Sequence, residues 1–444
     1  MPTIDYALRQ FAIKEVDLQS IAQHMYPLML RNISGAGFVF VDPGDPSRFS
    51  APGCVLASPS YPANQAYITQ NYVYNWVRDA AIAAIEVAAA NPPSRPGGGA
   101  QTLIDYVTFA RLCQSNAIQA GKPTHACFTI EGDLRDWTDQ SDGPALQTLA
   151  ILSLYGQLDP ASQAVALAVA NANVGFVLDV YQQPTVNLWE EVTGYSFFAR
   201  AVQLRCLEAV QANTIGLDIP SNLGAAITWL TSALEGHWNG SCYVSILQPQ
   251  NPRPGYDSNI DIVCASVYGA IPFTDTKLLA TAAQVRSEFA DAGGPNAYPI
   301  NAADAAQGFG PLMGRYPGDT YDGDSLNAGA DHPWALCTAN FSELYYGLAH
   351  AILSGAAVPY DSLSAKFFEQ VGVQSTTTAA DAIAALRTAG DAMLQAVVYH
   401  SDNLLLSEQF DAWTGYEKSV RNLTWSYAAF LSAVRRRNGT GVSG

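Results

Sequence analysis

Charge is scarce in this chain, and positive charge is scarcest. Only 14% of its 444 residues are charged, and 22 Lys and Arg stand against 39 Asp and Glu. The net charge of −17 excludes a nucleic-acid surface, which needs clustered basic side chains. The one basic run, Arg435-Arg436-Arg437, reads as the cationic end of a last helix, favourable against the negative end of its dipole. No run is expected to span a membrane; the best candidate, 80–90, is Ala-rich and interrupted by Glu86. The N-terminus, Met1-Pro2-Thr3-Ile4-Asp5, shows no basic region followed by an apolar stretch, so no signal peptide is visible. A secreted protein whose signal has been removed is the expected address, and the cytoplasm is the alternative. The seven cysteines are spread out, contain no CxxC and imply no disulfide framework; Cys113, Cys206 and Cys337 read as small core residues.

Other chemistries are missing as well. The six histidines form neither HExxH nor a Cys/His ligand pattern, which argues against metal catalysis. Asp319, Asp322, Asp324 and Asp331 crowd one loop, but without the EF-hand spacing, and read as solvated or substrate-facing. No P-loop, Gly-rich dinucleotide motif or GxSxG elbow occurs. No metal and no cofactor are expected.

What is plentiful is apolar residue, 49% of the chain. It recurs at helical spacing in segments near 6–31, 80–90, 104–118, 142–154, 161–181, from 197, 222–235, 262–271, 278–289, 333–354, 379–398 and up to about 437. Residues 35–61 suggest loop with a small hairpin, and 91–99 a turn or exposed loop. One arrangement recurs roughly six times: a loop bearing Trp, Tyr, Arg, Asp or Glu precedes a helix apolar all round, and a more polar helix returns the chain. A helix without a polar face must be surrounded by protein. The expected fold is all-α, a toroid of inner and outer helices, with the functional loops meeting at one end of the inner ring. Residues 1–444 read as one domain.

The loops carry the chemistry. Residues 187–198 read Asn-Leu-Trp-Glu-Glu-Val-Thr-Gly-Tyr-Ser-Phe-Phe, placing Trp189 beside Glu190 and Glu191 just before a buried helix. Acidic residues near a helix start are ordinary. An indole next to carboxyl groups is more pointed, because sugar rings stack on aromatic faces and their hydroxyls need charged partners. A second such cluster, Tyr72, Trp76, Arg78 and Asp79, precedes the helix at 80–90. Splitting a glycosidic bond with inversion needs a protonated acid on one face and an ionised base holding water on the other. Glu190 and Glu191 are adjacent and cannot flank a sugar from both faces. The base must come from another loop, and Glu408 is the candidate.

Several motifs, in order, resemble the glucoamylases of glycoside hydrolase family 15. They are 72–79, 142–146, 187–198, 314–321, 333–338, 407–411 and 423–429. The resemblance implies an (α/α)6 barrel that releases β-glucose from the non-reducing ends of α-1,4-glucans, with inversion. It implies Glu190 as general acid and Glu408 as base. Glu191 would bind the sugar beyond the cleaved bond, and Arg78, Asp79 and Arg315 would grip hydroxyls. Tyr72, Trp76, Trp137, Tyr321 and Trp334 would line the pocket beside Trp189. The chain departs from the family at Asn187, where Asp is common, and in the spacing from Trp137 to Asp142, one residue short of the fungal pattern. No tail resembles a linker with a starch-binding domain, so raw granular starch should be a poor substrate. The expected partner is an α-glucan, acted on by a monomer. Open alternatives are an α-1,6-glucan hydrolase or trehalase of the same family, and a non-catalytic α-glucan-binding protein; the presence of both Glu190 and Glu408 argues against the last.

Overall fold

Helices form wherever the apolar spacing demands them. The computed structural model describes residues 17–439 apart from 36, 61–70, 91–99, 213–214, 254, 292–293, 295 and 325–330. In chain order the helices are α1 (Leu18–Leu30), α2 (Val77–Ala90), α3 (Ala100–Gln119), α4 (Gly143–Leu154), α5 (Pro160–Val180), α6 (Phe197–Ala212) and α7 (Leu223–Glu235). Then come α8 (Asp261–Tyr268), α9 (Thr276–Ala290), α10 (Pro299–Gln307), α11 (Ala335–Leu353), α12 (Ala365–Glu369), α13 (Ala379–His400) and α14 (Thr424–Arg437).

Six of these have almost no wet face. All of α8 is buried, as is α14 from Thr424 to Val434, and α11 is buried from Ala335 to Ala349. Helices α2, α4, α6, α8, α11 and α14 pack on one another in that order, and α14 packs back on α2, closing a ring. The outer helices lean on them: α3 on α2, α5 on α4, α7 on α6, α9 on α8, α13 on α11 and α1 on α14. This is an (α/α)6 barrel. The outer helices bury one stripe each. In α5 the buried residues Ala166, Val169, Ala170, Asn173, Val174 and Val177 recur at helical spacing. By length and composition α5 could cross a bilayer, contrary to the sequence reading; its run of Ala and Val serves here to pack against α3 and α4.

Strands are short and tie loops together. β1 (Asn75–Trp76) pairs with β2 (Cys127–Phe128); β4 (Thr193–Ser196) lies between β3 (Thr185–Val186) and β5 (Ile246–Leu247); β6 (Gln409–Phe410) pairs with β7 (Glu417–Lys418). Bridges Gly35↔Phe38 and Val41↔Phe49 form the small pairing expected within 35–61. The expected first helix, 6–31, is seen from Leu18 to Leu30; its part over 6–16 and the turn at 91–99 lie outside the described residues. Two short helices, α10 and α12, were not anticipated. Pro333 does not start a helix: Phe410 N–H bonds its carbonyl at 2.8 Å, Trp334 N–H bonds Met313 O at 2.8 Å, and α11 begins at Ala335.

The basic run is not simply a dipole partner. Arg435 meets Glu86 of α2 at 2.5 Å, Arg436 meets Glu343 of α11 at 3.2 Å and Arg437 meets Asp391 of α13 at 2.6 Å. The aspartate-rich loop also differs from expectation. Asp319 pairs with Arg315 at 2.7 Å, Asp322 with Lys418 at 2.8 Å, and Asp331 accepts from Tyr298 at 2.6 Å, so these carboxyls have separate protein partners. All seven cysteines are buried and unpaired.

Candidate active site

The loops that precede the inner helices enclose a cavity of about 390 Å3. Its wall includes the N-terminal ends of α2 (Arg78, Asp79), α11 (Leu336, after Trp334) and α14 (Trp425, after Leu423). Helix N-termini aimed at one space bring positive dipole ends with them. Every residue singled out by the sequence lies on this wall: Tyr72, Trp76, Arg78, Asp79, Trp137, Trp189, Glu190, Glu191, Arg315, Tyr321, Trp334 and Glu408. A second cavity, about 270 Å3, is lined from α9, α10, α11 and α13 and contains none of them.

Glu190 sits in a tight turn. Its N–H bonds Asn187 O at 3.0 Å, and its φ of 62° is left-handed, uncommon for a residue with a side chain. Asn187 holds the turn shut: its Oδ1 accepts the Glu191 and Val192 amides at 3.0 Å each, and its Nδ2 donates to the Tyr256 hydroxyl. The neutral amide that departs from the family pattern thus acts as both acceptor and donor. The turn sends the adjacent carboxylates to different partners. Glu190 takes Arg78 at 3.3 Å and the Trp137 indole N–H at 2.8 Å. Glu191 takes Arg315 at 3.0 Å, Tyr316 at 2.7 Å and Arg253 at 3.3 Å. Burial pushes the Glu190 carboxyl up, Arg78 and Trp137 pull it back, and Asp142 raises it.

Glu408 is held by hydroxyls. Tyr72 donates at 3.0 Å, Tyr321 at 2.9 Å, and Ser419 donates through a short contact. Burial pushes this carboxyl up as well, while the three hydroxyls and Arg315 pull it down. Its backbone explains its position: Glu408 N–H bonds Val420 O at 2.9 Å and its carbonyl accepts the Ala335 amide at 3.2 Å. The β6–β7 hairpin and the start of α11 therefore carry Glu408, Ser419 and Trp334 as one unit.

Arg78 is shared among Asp142 at 3.2 Å, Glu190 at 3.3 Å and Asp79 at 3.6 Å. Arg78 Nε and Asp79 Oδ2 are buried with no hydrogen-bond partner among the described residues. Burial brings Asp79 up to about 7. Trp189 is less a free platform than a packed wall, with its indole N–H on Asn259 at 2.9 Å and its ring against Trp334 and Trp425.

Sequence reasoning did not single out Trp425, although it lines the cavity and lies under Arg78 at 5.2 Å. It also missed Ser419 and Arg135. Trp425 sits in a quoted motif and could have been found there; Ser419 and Arg135 lie in no motif.

The family model described as "Glycosyl hydrolases family 15" matches residues 111–435. A "Probable glucoamylase" of Schizosaccharomyces pombe is 27% identical over 92% of this chain and 88% of its own length. "Glucoamylase 1" of Rhizopus oryzae is 27% identical over 93% of this chain and 69% of its own. The solved glucoamylase of Saccharomycopsis fibuligera superposes with a TM-score of 0.77 at 22% identity, over 96% of both chains, which speaks to the fold.

Proposed function

The chain belongs to glycosyl hydrolases family 15 and is a glycoside hydrolase, and from that premise we propose that it is a glucoamylase. In this reading it removes single glucose units from the non-reducing ends of α-1,4-glucans and releases them as the β-anomer. The observation that carries the reading is one pair. Glu190 and Glu408 face the same cavity from loops on different sectors of the ring, each with its own donors.

Glu190, as general acid, protonates the leaving oxygen. Glu408, as general base, takes a proton from the water that attacks the anomeric carbon from the opposite face. Arg78 and Asp79, which line the cavity beside Glu190, grip hydroxyls of the terminal sugar. Glu191, fixed by Arg315, Arg253 and Tyr316, meets the sugar on the leaving side. The aromatic wall supplies apolar faces and keeps bulk water off the reacting carbon.

NMR of the first glucose formed from maltotriose tests mechanism and linkage together. β-Glucose is expected first; α-glucose first would overturn inversion. Glu190→Gln and Glu408→Gln should each lose turnover by about a thousandfold or more while still binding maltose. Near-wild-type kcat in either removes that residue from its role. Glucose from isomaltose or trehalose in preference to maltose would change the linkage assignment.

A further inference from the structure

Arg135 stands between two rings at the wall of the cavity. Its Cζ lies 4.0 Å from the Tyr74 ring centre and 4.0 Å from that of Trp137, with Trp76 at 5.3 Å. A guanidinium so placed stacks on both faces and is held by dispersion and by the ring quadrupoles. Among the described residues its side chain meets a hydrogen-bond acceptor only at Cys127 Sγ, 3.9 Å away. Its charge is therefore not engaged in an ion pair. Its backbone is fixed on both sides: its N–H bonds Cys127 O at 3.1 Å, and its carbonyl contacts His125 Nε2 at 2.8 Å.

Trp137 needs such a brace. It is 37% exposed, unlike the buried Trp76 and Trp189. Among the described residues its side chain makes one hydrogen bond, the indole N–H on Glu190, and Trp76 meets it edge-on at 6.0 Å. An indole with one face bare would swing into solvent and lose that bond.

We propose that Arg135 is a positioning residue: stacked between Tyr74 and Trp137, it holds the Trp137 indole so that Nε1–H meets Glu190. The proposal rests on the reading of Glu190 as the acid. Arg135 acts as a planar cation seated in a slot between the rings, and not through a direct effect of its charge on Glu190.

The groups facing Glu190 are Arg78 and Asp79 from α2, Asp142 ahead of α4, Tyr72 before β1 and Cys127 on β2. Of these only Cys127 touches Arg135, and losing that contact leaves its thiol, already pushed up by burial, neutral as before. The indole bond favours the ionised form of Glu190, so its loss moves the alkaline limb of the activity profile upward, by up to about one pH unit.

The test measures kcat and the pH profile of kcat/KM on maltose for Arg135→Ala, Arg135→Lys, Trp137→Phe and the Arg135→Ala/Trp137→Phe double variant. Arg135→Lys keeps the charge and the stem but not the plane, and serves if the alanine variant folds poorly. Both Arg135 variants should lower kcat about tenfold and raise the alkaline limb as Trp137→Phe does. In the Trp137→Phe background, Arg135→Ala should add almost nothing. A wild-type profile in Arg135→Lys, or an additive shift in the double variant, overturns the proposal in favour of a charge effect. Near-UV circular dichroism reads the stack without catalysis: the Trp137 signal, defined by difference from Trp137→Phe, should vanish in Arg135→Lys. Its persistence refutes the brace. An active Glu190→Gln variant with that signal lost in Arg135→Lys leaves the brace standing and overturns the acid assignment alone.

Discussion

Replacing Ser419 by alanine removes one of three hydroxyls that hold Glu408. Ser419 is set up for this contact. Its φ of 66° is left-handed, and its N–H is fixed on Asp324 at 2.9 Å, so the side chain has little freedom to turn away. A hydrogen bond to a charged group contributes about 1.5–3 kcal/mol, and one pKa unit is about 1.4 kcal/mol. Full loss would shift Glu408 by about 1–2 units; the two tyrosine donors remain and water can enter, so about 0.5–1 unit is expected. The sign follows from the charge. Burial pushes Glu408 up, and hydroxyl donors favour its ionised form, so deleting one pushes it up further. A base must be ionised to act. The acidic limb of kcat/KM therefore moves to higher pH, while the alkaline limb, which the proposed function assigns to Glu190, stays in place. Initial rates of glucose release from maltose across the acidic range measure it. An unmoved acidic limb, a shift to lower pH, or movement of the alkaline limb instead would refute the reasoning.

Gly323→Ala should damage the same carboxylate from further off, because its Cβ would fall 1.8 Å from Ser419 Oγ. We expect kcat to drop by about tenfold or more with the fold retained, by activity and thermal melting; unchanged kcat would show that the hairpin adapts. Arg435→Ala strands the buried Glu86 and should cost about 3–5 kcal/mol in denaturant unfolding, whereas Glu86→Gln with Arg435→Met should recover most of it. Equal loss in the single and double variants would contradict this. Asp261 is buried, with Ser245 donating to one oxygen at 2.6 Å, and burial raises it to about 7 from 3.8. The folded state keeps a proton there that the unfolded chain has lost, so stability is full below about pH 4 and falls as pH rises towards about 7. Asp261→Asn should flatten that fall by about 2–4 kcal/mol, and an unchanged pH dependence of unfolding would refute it.

The ring was legible because its signal is spread over many residues. Helices α4, α7 and α13 begin within a residue or two of the sequence expectation, since Asp142-Gly143-Pro144, Asn222 and Thr378 mark where the chain turns helical. The break at Pro333 was not legible. It depends on backbone bonds to the β6–β7 hairpin, more than seventy residues on, and no local pattern records those. The cavity wall divides in the same way. Aromatic and charged residues that cluster before helices announce themselves, as Tyr72 to Asp79 do. Ser419 and Arg135 do not, because a serine after a hairpin and an arginine in a loop are ordinary until the fold brings them to Glu408 and Trp137.

Which carboxyl carries the proton follows from counting charge around each. Arg78 beside Glu190 would by itself favour an ionised carboxylate, the wrong state for an acid. But Arg78 is shared with Asp79 and Asp142, so one buried cation serves three carboxyls. Burial raises Glu190 and Asp79 in this desolvated cluster despite the shared cation, so protons are favoured on these two. Asp79, brought up to about 7 by burial, takes part in holding them. Glu408 has the opposite surroundings. Three hydroxyls donate to it and Arg315 adds positive potential, each pulling against the burial that raises it. On the proposed reading, the neighbours' charges are what separate an acid from a base among two glutamates that burial raises alike.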